Sequence, residues 1–395
     1  MKRQKLLFAT MQAGGGHVAT AHAMKQAIEE AYPGQFDMSI ADYLDEVGAT
    51  QLDKRNKDAW RFALRYPVTA RLGQRAIDLW PQLSIRIQRL IVQEFAELAA
   101  QHIEKEHPDI IISNYGLVST GLALAKKRYH LDVPVITFAT ETHNICAYWA
   151  DPWADHVIVP NNDLKQQLVR MGMPEDKLSV VGYPVQQSFL YPKQKEEARR
   201  ILDLPSGFTC LLSLGGEGVA TKSEQMLNTL LDIPGLDNII VICGRNQDLK
   251  DNLEAQGNPR LQVKGFVTNM ADYIAASDLV IGKAGPASVY ETLAVGRPMI
   301  ITSYAGLNEL GVLDFVVDKG LGAYARSAKD LKAHLEFYIQ HPEQLERVRK
   351  RCKKLKLAKQ TRSMGDALVR FANQDKVKTQ RRYPVSKQVP LLSQV

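Results

Sequence analysis

Short apolar runs alternate with helix-period segments through the first 185 residues. The runs predict strands at 6–11, 36–43, 109–113, 134–140, 156–160 and 180–184. Between them, apolar spacing predicts helices at 18–32, 117–129 and 162–171, and a nearly continuous helical stretch over 51–106 that is broken near Pro67 and Pro81. Strands that alternate with helices in this way indicate a parallel α/β sheet.

The same alternation begins again after a linker at 186–205 that contains Pro192 and Pro205. Strands are predicted near 209–214, 238–244, 261–266, 278–283 and 298–302, with helices at 221–231, 246–256, 269–276 and 286–295. The pattern therefore predicts two Rossmann-like, doubly wound domains, 1–185 and 206–346, with a ligand cleft between their strand ends. A helix within 347–375 is expected to pack back across the domain junction. The basic tail at 376–395 lacks periodicity and is expected to be disordered.

Residues 282–309 contain more candidate ligand-binding features than any other segment of the sequence. A glycine-bearing loop opens a helix that carries Glu291 one turn in, and loop amides at a helix start suit phosphate. A carboxylate at that place can accept bonds from both hydroxyls of a ribose. The sequence thus predicts a ridge for nucleotide, diphosphate and sugar, in that order, formed by Ala284, Gly285, Pro286, Ser288 and Glu291 and by Asn308 and Glu309 at the end of a second polar loop.

Two more strand ends of the second half are expected on the same rim. A second glycine loop can place amides near a diphosphate or form a plain turn; its residues are Gly215, Gly216, Glu217 and Gly218. Arg245 can pair with phosphate or be a surface cation. The backbone around Phe266 and Val267 can bond a base edge, whereas the alternative is that Phe266 lies in the core.

The first half has its own candidates on the opposite side of the cleft. Gly14, Gly15 and Gly16 follow a strand and lead into His17, which at a helix start can act as general base toward a hydroxyl. The positive helix end would lower the pKa of His17 and keep it neutral, although local capping is the alternative role. The glycine spacing also loosely matches a dinucleotide fingerprint.

A third predicted strand end carries Glu141 and His143. This pair can orient an acceptor or transfer a proton, and a structural role is equally compatible with the sequence.

The composition is that of a globular protein, with 45% hydrophobic and 24% charged residues over 395 positions. Four cysteines stand without metal-ligand spacing or a disulfide framework, which fits a reduced cytoplasm. The chain has no Asp-x-Asp and no His/Cys/carboxylate cluster at ligand spacing, so no metal and no resident cofactor are expected. A departing diphosphate would then depend on helix ends and cations.

The net charge of +7 is concentrated in two places. Residues 54–89 mix nine Lys or Arg with aromatic residues on predicted helices, and residues 347–362 hold nine more basic residues. A basic and aromatic helical face suits an anionic lipid surface. The alternatives for residues 54–89 are RNA binding and an ordinary solvated face. We expect that the protein binds no nucleic acid.

Taken in order, these motifs resemble glycosyltransferase family 28, and within it the monogalactosyl- and glucosyl-diacylglycerol synthases. The resemblance rests on Gly14–His17 and on the segments 107–113, 180–185, 215–218, 243–246 and 282–309, and it covers roughly residues 5–330. It implies a GT-B fold and an inverting, metal-independent transfer from a UDP-α-sugar. By position, His17 matches the family's candidate base, Glu291 its ribose-binding glutamate and the segment around Gly285 its phosphate loop.

Three positions depart from the family pattern. Asn308 stands where Gln is usual in the donor-sugar pair, Gln12 where plant members carry an acidic residue, and Glu141 where many members carry Asp. The last two lie on the acceptor side, so the acceptor is the least constrained substrate.

The expected function is transfer of glucose or galactose from a UDP-sugar to a lipid, diacylglycerol first, giving a β-glycolipid. The protein would work as a peripheral enzyme on the inner face of the plasma membrane. One alternative is transfer of N-acetylglucosamine to a polyprenyl-linked cell-wall precursor. A second alternative is a regulator that binds a UDP-sugar without turnover.

Overall fold

A computed structural model describes residues 3–12, 15–216 and 223–380. The N-terminal domain is built on a parallel six-stranded sheet in the order β2-β1-β3-β4-β5-β6. Its strands are β1 (Gln4–Thr10), β2 (Phe36–Asp42), β3 (Ile110–Ser113), β4 (Val135–Phe138), β5 (His156–Val159) and β6 (Leu178–Val180).

Eight α-helices of the described residues lie between these strands along the chain. They are α1 (Gly16–Ala31), α2 (Tyr43–Glu46), α3 (Thr50–Arg65), α4 (Pro67–Leu79), α5 (Pro81–Ile91), α6 (Gln93–Glu106), α7 (Gly116–Tyr129) and α8 (Asn162–Arg170). Pro67 and Pro81 each occupy the first position of a helix, where a missing N–H costs nothing. The predicted helical stretch with breaks at these two prolines is therefore confirmed.

A second parallel sheet has the order β12-β11-β10-β7-β8-β9. Its strands are β7 (Thr209–Ser213), β8 (Asn238–Ile242), β9 (Leu261–Lys264), β10 (Leu279–Lys283), β11 (Met299–Ser303) and β12 (Gly322–Tyr324). Helices α9 (Gln187–Leu190) and α10 (Lys195–Ile201) lie in the linker, and α11 (Ser223–Leu231), α12 (Gln247–Glu254), α13 (Met270–Ala276), α14 (Pro286–Val295), α15 (Leu307–Asp318) and α16 (Ala328–Gln340) flank the sheet. The predicted fold class, two doubly wound parallel-sheet domains, is confirmed.

The strand order puts one topological switch point in each sheet. In the first sheet it lies between β1 and β3, and in the second between β7 and β10. At a switch point the connections leave in opposite directions, so the loops after the two strands splay apart and form a crevice. The glycine loops noted in the sequence follow β1, β7 and β10, and so each lies at a switch point.

The C-terminal segment returns to the first domain. Helix α17 (Glu343–Lys354) stays beside the second domain, whereas α18 (Leu357–Gln380) packs along α1. Gly365 permits this packing, because a Cβ there would lie 2.5 Å from the backbone oxygen of Ala27. Lys356, at a φ of 53°, breaks the single helix that the sequence predicted over this region into two.

Three further sequence predictions need correction. The predicted strand at 180–184 is wrong, since β6 ends at Val180 and Gly182 turns the chain at a φ of 118°. The amides of Tyr183 and Val185 then bond side chains of α18 instead of a neighbouring strand. Residues 376–380, predicted to be disordered, continue α18, whereas 381–395 lie outside the described residues. Residues 308 and 309 are not the end of a loop, since they stand in the first turn of α15.

Candidate functional site

The two domains meet where helices α1 and α14 begin. A Cβ added at Gly16 would lie 3.6 Å from the Cβ of Ala287, so the two helix starts lie side by side. Each of these helices has a glycine at its N-cap, Gly15 or Gly285, and among the described residues no side chain of the N-cap bonds the first amides. Uncapped N-terminal amides carry partial positive charge and suit an anion.

His17 stands in the first turn of α1, and its ring is held in place by the loop that follows β3. Its Nδ1 lies 2.9 Å from the backbone oxygen of Asn114, and the Asn114 amide donates back to the His17 backbone oxygen at 2.6 Å. Tyr115 packs edge-on against the ring at 4.8 Å. Because a carbonyl accepts only from a protonated nitrogen, Nδ1 carries the hydrogen and Nε2 keeps a free lone pair.

Burial keeps this imidazole neutral. Desolvation lowers the pKa of His17 to about 4, and the bond to the Asn114 carbonyl only partly opposes it. A neutral ring with a fixed tautomer can accept a proton at neutral pH. Asn114 and Tyr115 were missed in the sequence, because only the sheet order brings the end of β3 beside the end of β1.

Glu291 lies on α14 and faces the domain interface. Its half-buried carboxyl lines a gap of about 10 Å³ that it shares with Thr20 and Tyr183 of the first domain. Desolvation raises the pKa of Glu291 to about 8. Among the described residues no hydrogen bond or ion pair to this carboxyl is found, so it is available to a ligand.

The phosphate-loop candidate holds a cation that the sequence reading did not single out. Lys283, at the end of β10, pairs with Glu309, and its ammonium lies 5.7 Å from the ring centroid of Trp60 in α3. The second Glu309 oxygen accepts from the Ala305 amide at 2.6 Å, and the residue is 3% exposed. Both Glu309 oxygens are thus bonded within the second domain, one of them to Lys283, and Asn308 is half-buried beside it.

The remaining members of this loop are placed as a helix start requires. Ala284 and Gly285 are buried beneath the turn, Pro286 occupies the first helical position of α14, and Ser288 is exposed.

The part of the rim where a nucleotide base is expected to bind is exposed to solvent. Phe266 is 60% exposed, so the core role considered for it is excluded. The Arg245 guanidinium lies 5.2 Å from the centre of the Phe266 ring, and the Arg245 amide donates to the Gly216 oxygen at 3.0 Å. Gly244 allows this close approach, because it adopts a φ of 58° and a Cβ there would lie 2.6 Å from the same oxygen. The loops after β7, β8 and β9 thus converge, with Val267 half-buried beside them.

On the acceptor side, Glu141 and His143 are held by different partners. Glu141 accepts from the Cys146 amide at 2.7 Å, and burial raises its pKa to about 7. His143 lies 4.5 Å from the ring of Phe315 in α15, across the interface, and burial lowers its pKa to about 4. The predicted pair therefore does not act as one unit.

Some predicted site residues are not among those that the structure describes. Gly14, Glu217 and Gly218 lie outside the described ranges, although Gly15 precedes α1 at a φ of 82°. In residues 3–12, 15–216 and 223–380, no group of three or more His, Cys, Asp or Glu side chains is placed to hold a metal ion. Within those residues no helix is long and apolar enough to cross a bilayer.

The helices that cover residues 54–89 present two different surfaces. One is apolar and exposed, and the other contacts the second domain. Ten of the seventeen exposed large apolar side chains in the described part of the chain lie on or beside α3, α4 and α5: Phe62, Tyr66, Val68, Leu72, Leu79, Trp80, Leu83, Ile87, Leu90 and Ile91. We call this set the apolar face. In contrast, Trp60, Arg71 and Gln74 contact loops of the second domain.

Two doubly wound domains that face each other across helix starts define a GT-B glycosyltransferase fold. Residues 17–185 match the family model described as monogalactosyldiacylglycerol (MGDG) synthase, and residues 217–362 match the glycosyltransferase family 28 C-terminal domain. The two matches together extend over most of the chain, which resembles MGDG synthase in its N-terminal half and glycosyltransferase family 28 in its C-terminal half.

Curated relatives agree with these matches. The probable chloroplastic MGDG synthase of Glycine max is 26% identical over 351 residues, which cover 84% of this chain and 64% of that protein. The chain thus spans less than two thirds of that plant relative's length. The processive diacylglycerol beta-glucosyltransferase of Staphylococcus epidermidis is 29% identical over 225 residues, 56% of each chain.

Solved structures support the fold. A glycosyltransferase from Rickettsia africae aligns with a TM-score of 0.57 at 15% identity, covering 95% of this chain and 99% of that one. HepE of Anabaena, solved in complex with UDP, aligns with a TM-score of 0.51 at 14% identity, covering 96% and 100%.

Proposed function

We propose that this protein is an inverting, metal-independent hexosyltransferase that moves glucose or galactose from a UDP-sugar to diacylglycerol. The observation that carries the proposal is the fixed, neutral His17, placed where the start of α1 meets the uncapped start of α14. His17 Nε2 takes the proton of the acceptor hydroxyl. The hydroxyl oxygen attacks the anomeric carbon opposite UDP, and a β-glycoside forms.

The donor half of the proposal rests on the second domain. Phe266 and Arg245 present an exposed aromatic and cationic surface for a base, and Glu291 presents an unpaired carboxyl for ribose. Lys283 and the first amides of α14 stabilise the negative charge that develops on departing UDP. The use of UDP by this chain agrees with the ligand named for HepE, whose likeness extends to the fold alone.

The acceptor half rests on the apolar face. Exposed apolar side chains in this number mark an interaction surface, and nine Lys or Arg over 54–89 make an anionic lipid surface the fitting partner. The names of the plant and staphylococcal relatives make diacylglycerol the acceptor of choice. The proposal includes a peripheral location on the inner face of the plasma membrane.

The test is transfer by purified protein on vesicles that contain diacylglycerol and an anionic phospholipid. UDP-glucose and UDP-galactose are supplied separately, each with and without EDTA. We expect a glycolipid with a β anomeric proton by NMR, equal rates in EDTA, and no product without diacylglycerol. A product only from UDP-N-acetylglucosamine and a polyprenyl-diphosphate acceptor would favour the cell-wall alternative. UDP binding without any transfer would favour the regulator.

A further inference from the structure

A cavity of about 220 Å³ lies between the linker, the end of α14 and helix α17. Arg297, which lines this cavity, stands just before β11 begins, whereas Lys283 of the donor cleft stands where β10 ends. Since β10 and β11 are parallel, the cavity and the donor cleft lie at opposite edges of the second sheet. The five-residue strands between them are ~16 Å long.

The charge that lines this cavity is mostly positive. Four cations and one carboxylate line it: Lys193, Lys195, Arg297, Arg349 and Glu196. Both lysines already have partners, because Lys193 pairs with Asp272 at 2.6 Å and Lys195 pairs with Asp278. Two guanidiniums then remain against one carboxylate, so the cavity keeps an excess of positive charge.

Arg297 has a buried donor that the described residues do not use. Its Nη2 donates to the backbone oxygen of Ala275 at 2.7 Å, but its Nε is buried without a hydrogen-bond partner among the described residues. Buried donors are nearly always paired, either within the protein or with a bound species. Burial lowers the pKa of Arg297; Asp278 opposes this effect, and the nearby charge of Arg349 adds to it. An anion between the two guanidiniums would pair the unused Nε and offset their repulsion.

The end of α14 does not by itself account for these cations. A cation stabilises the C-terminal end of a helix, and Arg297 follows Gly296, where α14 ends. That role needs one cation and no cavity. Arginine is the side chain that pairs with phosphate through two parallel N–H bonds. The cavity is smaller than the ~300–1,000 Å³ of drug-sized sites, so a ligand that fits it is small.

We propose that this cavity binds the phosphate group of a small, soluble phosphorylated compound, with Arg297 and Arg349 as its main contacts. A lipid headgroup carries the same chemistry. The soluble source is favoured because Trp60 and Gln74, on the helices of the apolar face, contact loops at the donor edge of the second sheet, whereas the cavity lies at the other edge. The site is separate from the donor cleft and does not depend on the proposed function.

The experiment measures binding of inorganic phosphate and of glycerol 3-phosphate by phosphorus NMR titration at low salt, with UDP at saturation to occupy the donor cleft. The unmodified protein should bind both compounds. R297Q should raise their Kd about 10- to 150-fold, the range expected for hydrogen bonds to a charged group. R349Q should raise it about two- to fivefold, as expected for an exposed cation. R297K keeps the charge without Nε and should also weaken binding.

The matched control is R347Q. Arg347 is an exposed arginine on the same helix as Arg349 but does not line the cavity, so its removal should leave the Kd of phosphate unchanged. Thermal unfolding gives a second readout, because phosphate should raise the Tm of the unmodified protein and of R347Q but not that of R297Q. The Tm without phosphate reports whether each variant is folded, and R349Q, at an exposed position, keeps the test decisive if R297Q folds poorly.

Equal phosphate affinities in the unmodified protein, R297Q and R349Q would overturn the site. Displacement of phosphate by UDP would also overturn it, since the phosphate would then lie in the donor cleft. If neither soluble compound binds, but flotation on phosphatidic acid vesicles depends on Arg297, the phosphate is that of a lipid headgroup and the soluble ligand is excluded. Failure of the proposed function would appear elsewhere, as the absence of sugar transfer.

Discussion

At the scale of single residues, the tautomer of His17 decides how the cleft can do chemistry. His17→Ala should lower kcat by about 10²- to 10⁴-fold, the usual contribution of a general base, and leave the Kd of UDP nearly unchanged. The matched control is His22→Ala, which removes an exposed histidine from the same helix. Near-normal turnover in His17→Ala would exclude the residue as the base.

The pH profile gives an independent check on His17. Because desolvation lowers its pKa to about 4, the base stays unprotonated from about pH 5 upward and is lost only as pH falls through about 4. An unperturbed histidine would give an acidic limb near pH 6.5. The profile of kcat/KM should be recorded in Glu141→Gln as well, since Glu141 has a pKa of about 7. A limb near 6.5 in both proteins would contradict the buried, neutral ring.

The carboxyl of Glu291 can be tested against the ribose hydroxyls themselves. At a pH of about 9, where a carboxyl with a pKa of about 8 is ionised, Glu291→Ala should weaken UDP binding by ~1.5–3 kcal/mol, the value of a hydrogen bond to a charged group. The same substitution should cost much less with 2′,3′-dideoxy-UDP, which has no hydroxyl for the carboxylate. Calorimetry on both proteins with both nucleotides gives the coupling energy between the Glu291 carboxyl and the ribose hydroxyls. An equal loss for both nucleotides would remove the ribose role.

At the scale of secondary structure, the apolar periodicity was sufficient to predict most elements. Helix α14 begins and ends where the sequence predicts, because Pro286 and Gly296 are local signals for a helix start and end. The short strand β12 and the turn at Gly182 were missed, because each depends on a distant partner. The Lys283–Glu309 pair was missed for the same reason, since 26 residues separate its members.

If the apolar face on α3, α4 and α5 inserts into lipid, removal of its leucines should weaken binding to membranes. Leu72, Leu79 and Leu90 are 60–69% exposed, and burial of a leucine in lipid is worth ~1.5–3 kcal/mol. Changing all three to Gln should release the protein from anionic vesicles in a flotation assay, with the circular dichroism spectrum unchanged. Ile201, Val317 and Phe337 are exposed apolar residues elsewhere, and changing them to Gln should leave flotation intact. Retained binding of the first triple variant would contradict the membrane role.

At the scale of the whole molecule, an aromatic seam joins the domains. Tyr183 packs against Tyr290 at 4.6 Å, and the ring of Phe315 stacks with that of Tyr290 at 6.0 Å. One cluster of buried apolar residues extends over both domains and includes Tyr183 and Tyr290. Sequence patterns gave no sign of it, because each tyrosine fits equally well in the core of its own domain.

The seam and the return of α18 to α1 should make the two domains unfold together. Calorimetry should show one transition whose calorimetric and van't Hoff enthalpies agree. Changing Tyr183 and Tyr290 to Ala removes two aromatic rings from the interface, at ~3–5 kcal/mol each for a buried aromatic, and should split the transition into two. Tyr191→Ala is the control, because Tyr191 lies in the linker with 59% of its surface exposed. If the double variant still unfolds in a single transition, the seam is not what couples the domains, and the packing of α18 on α1 has to supply the coupling instead.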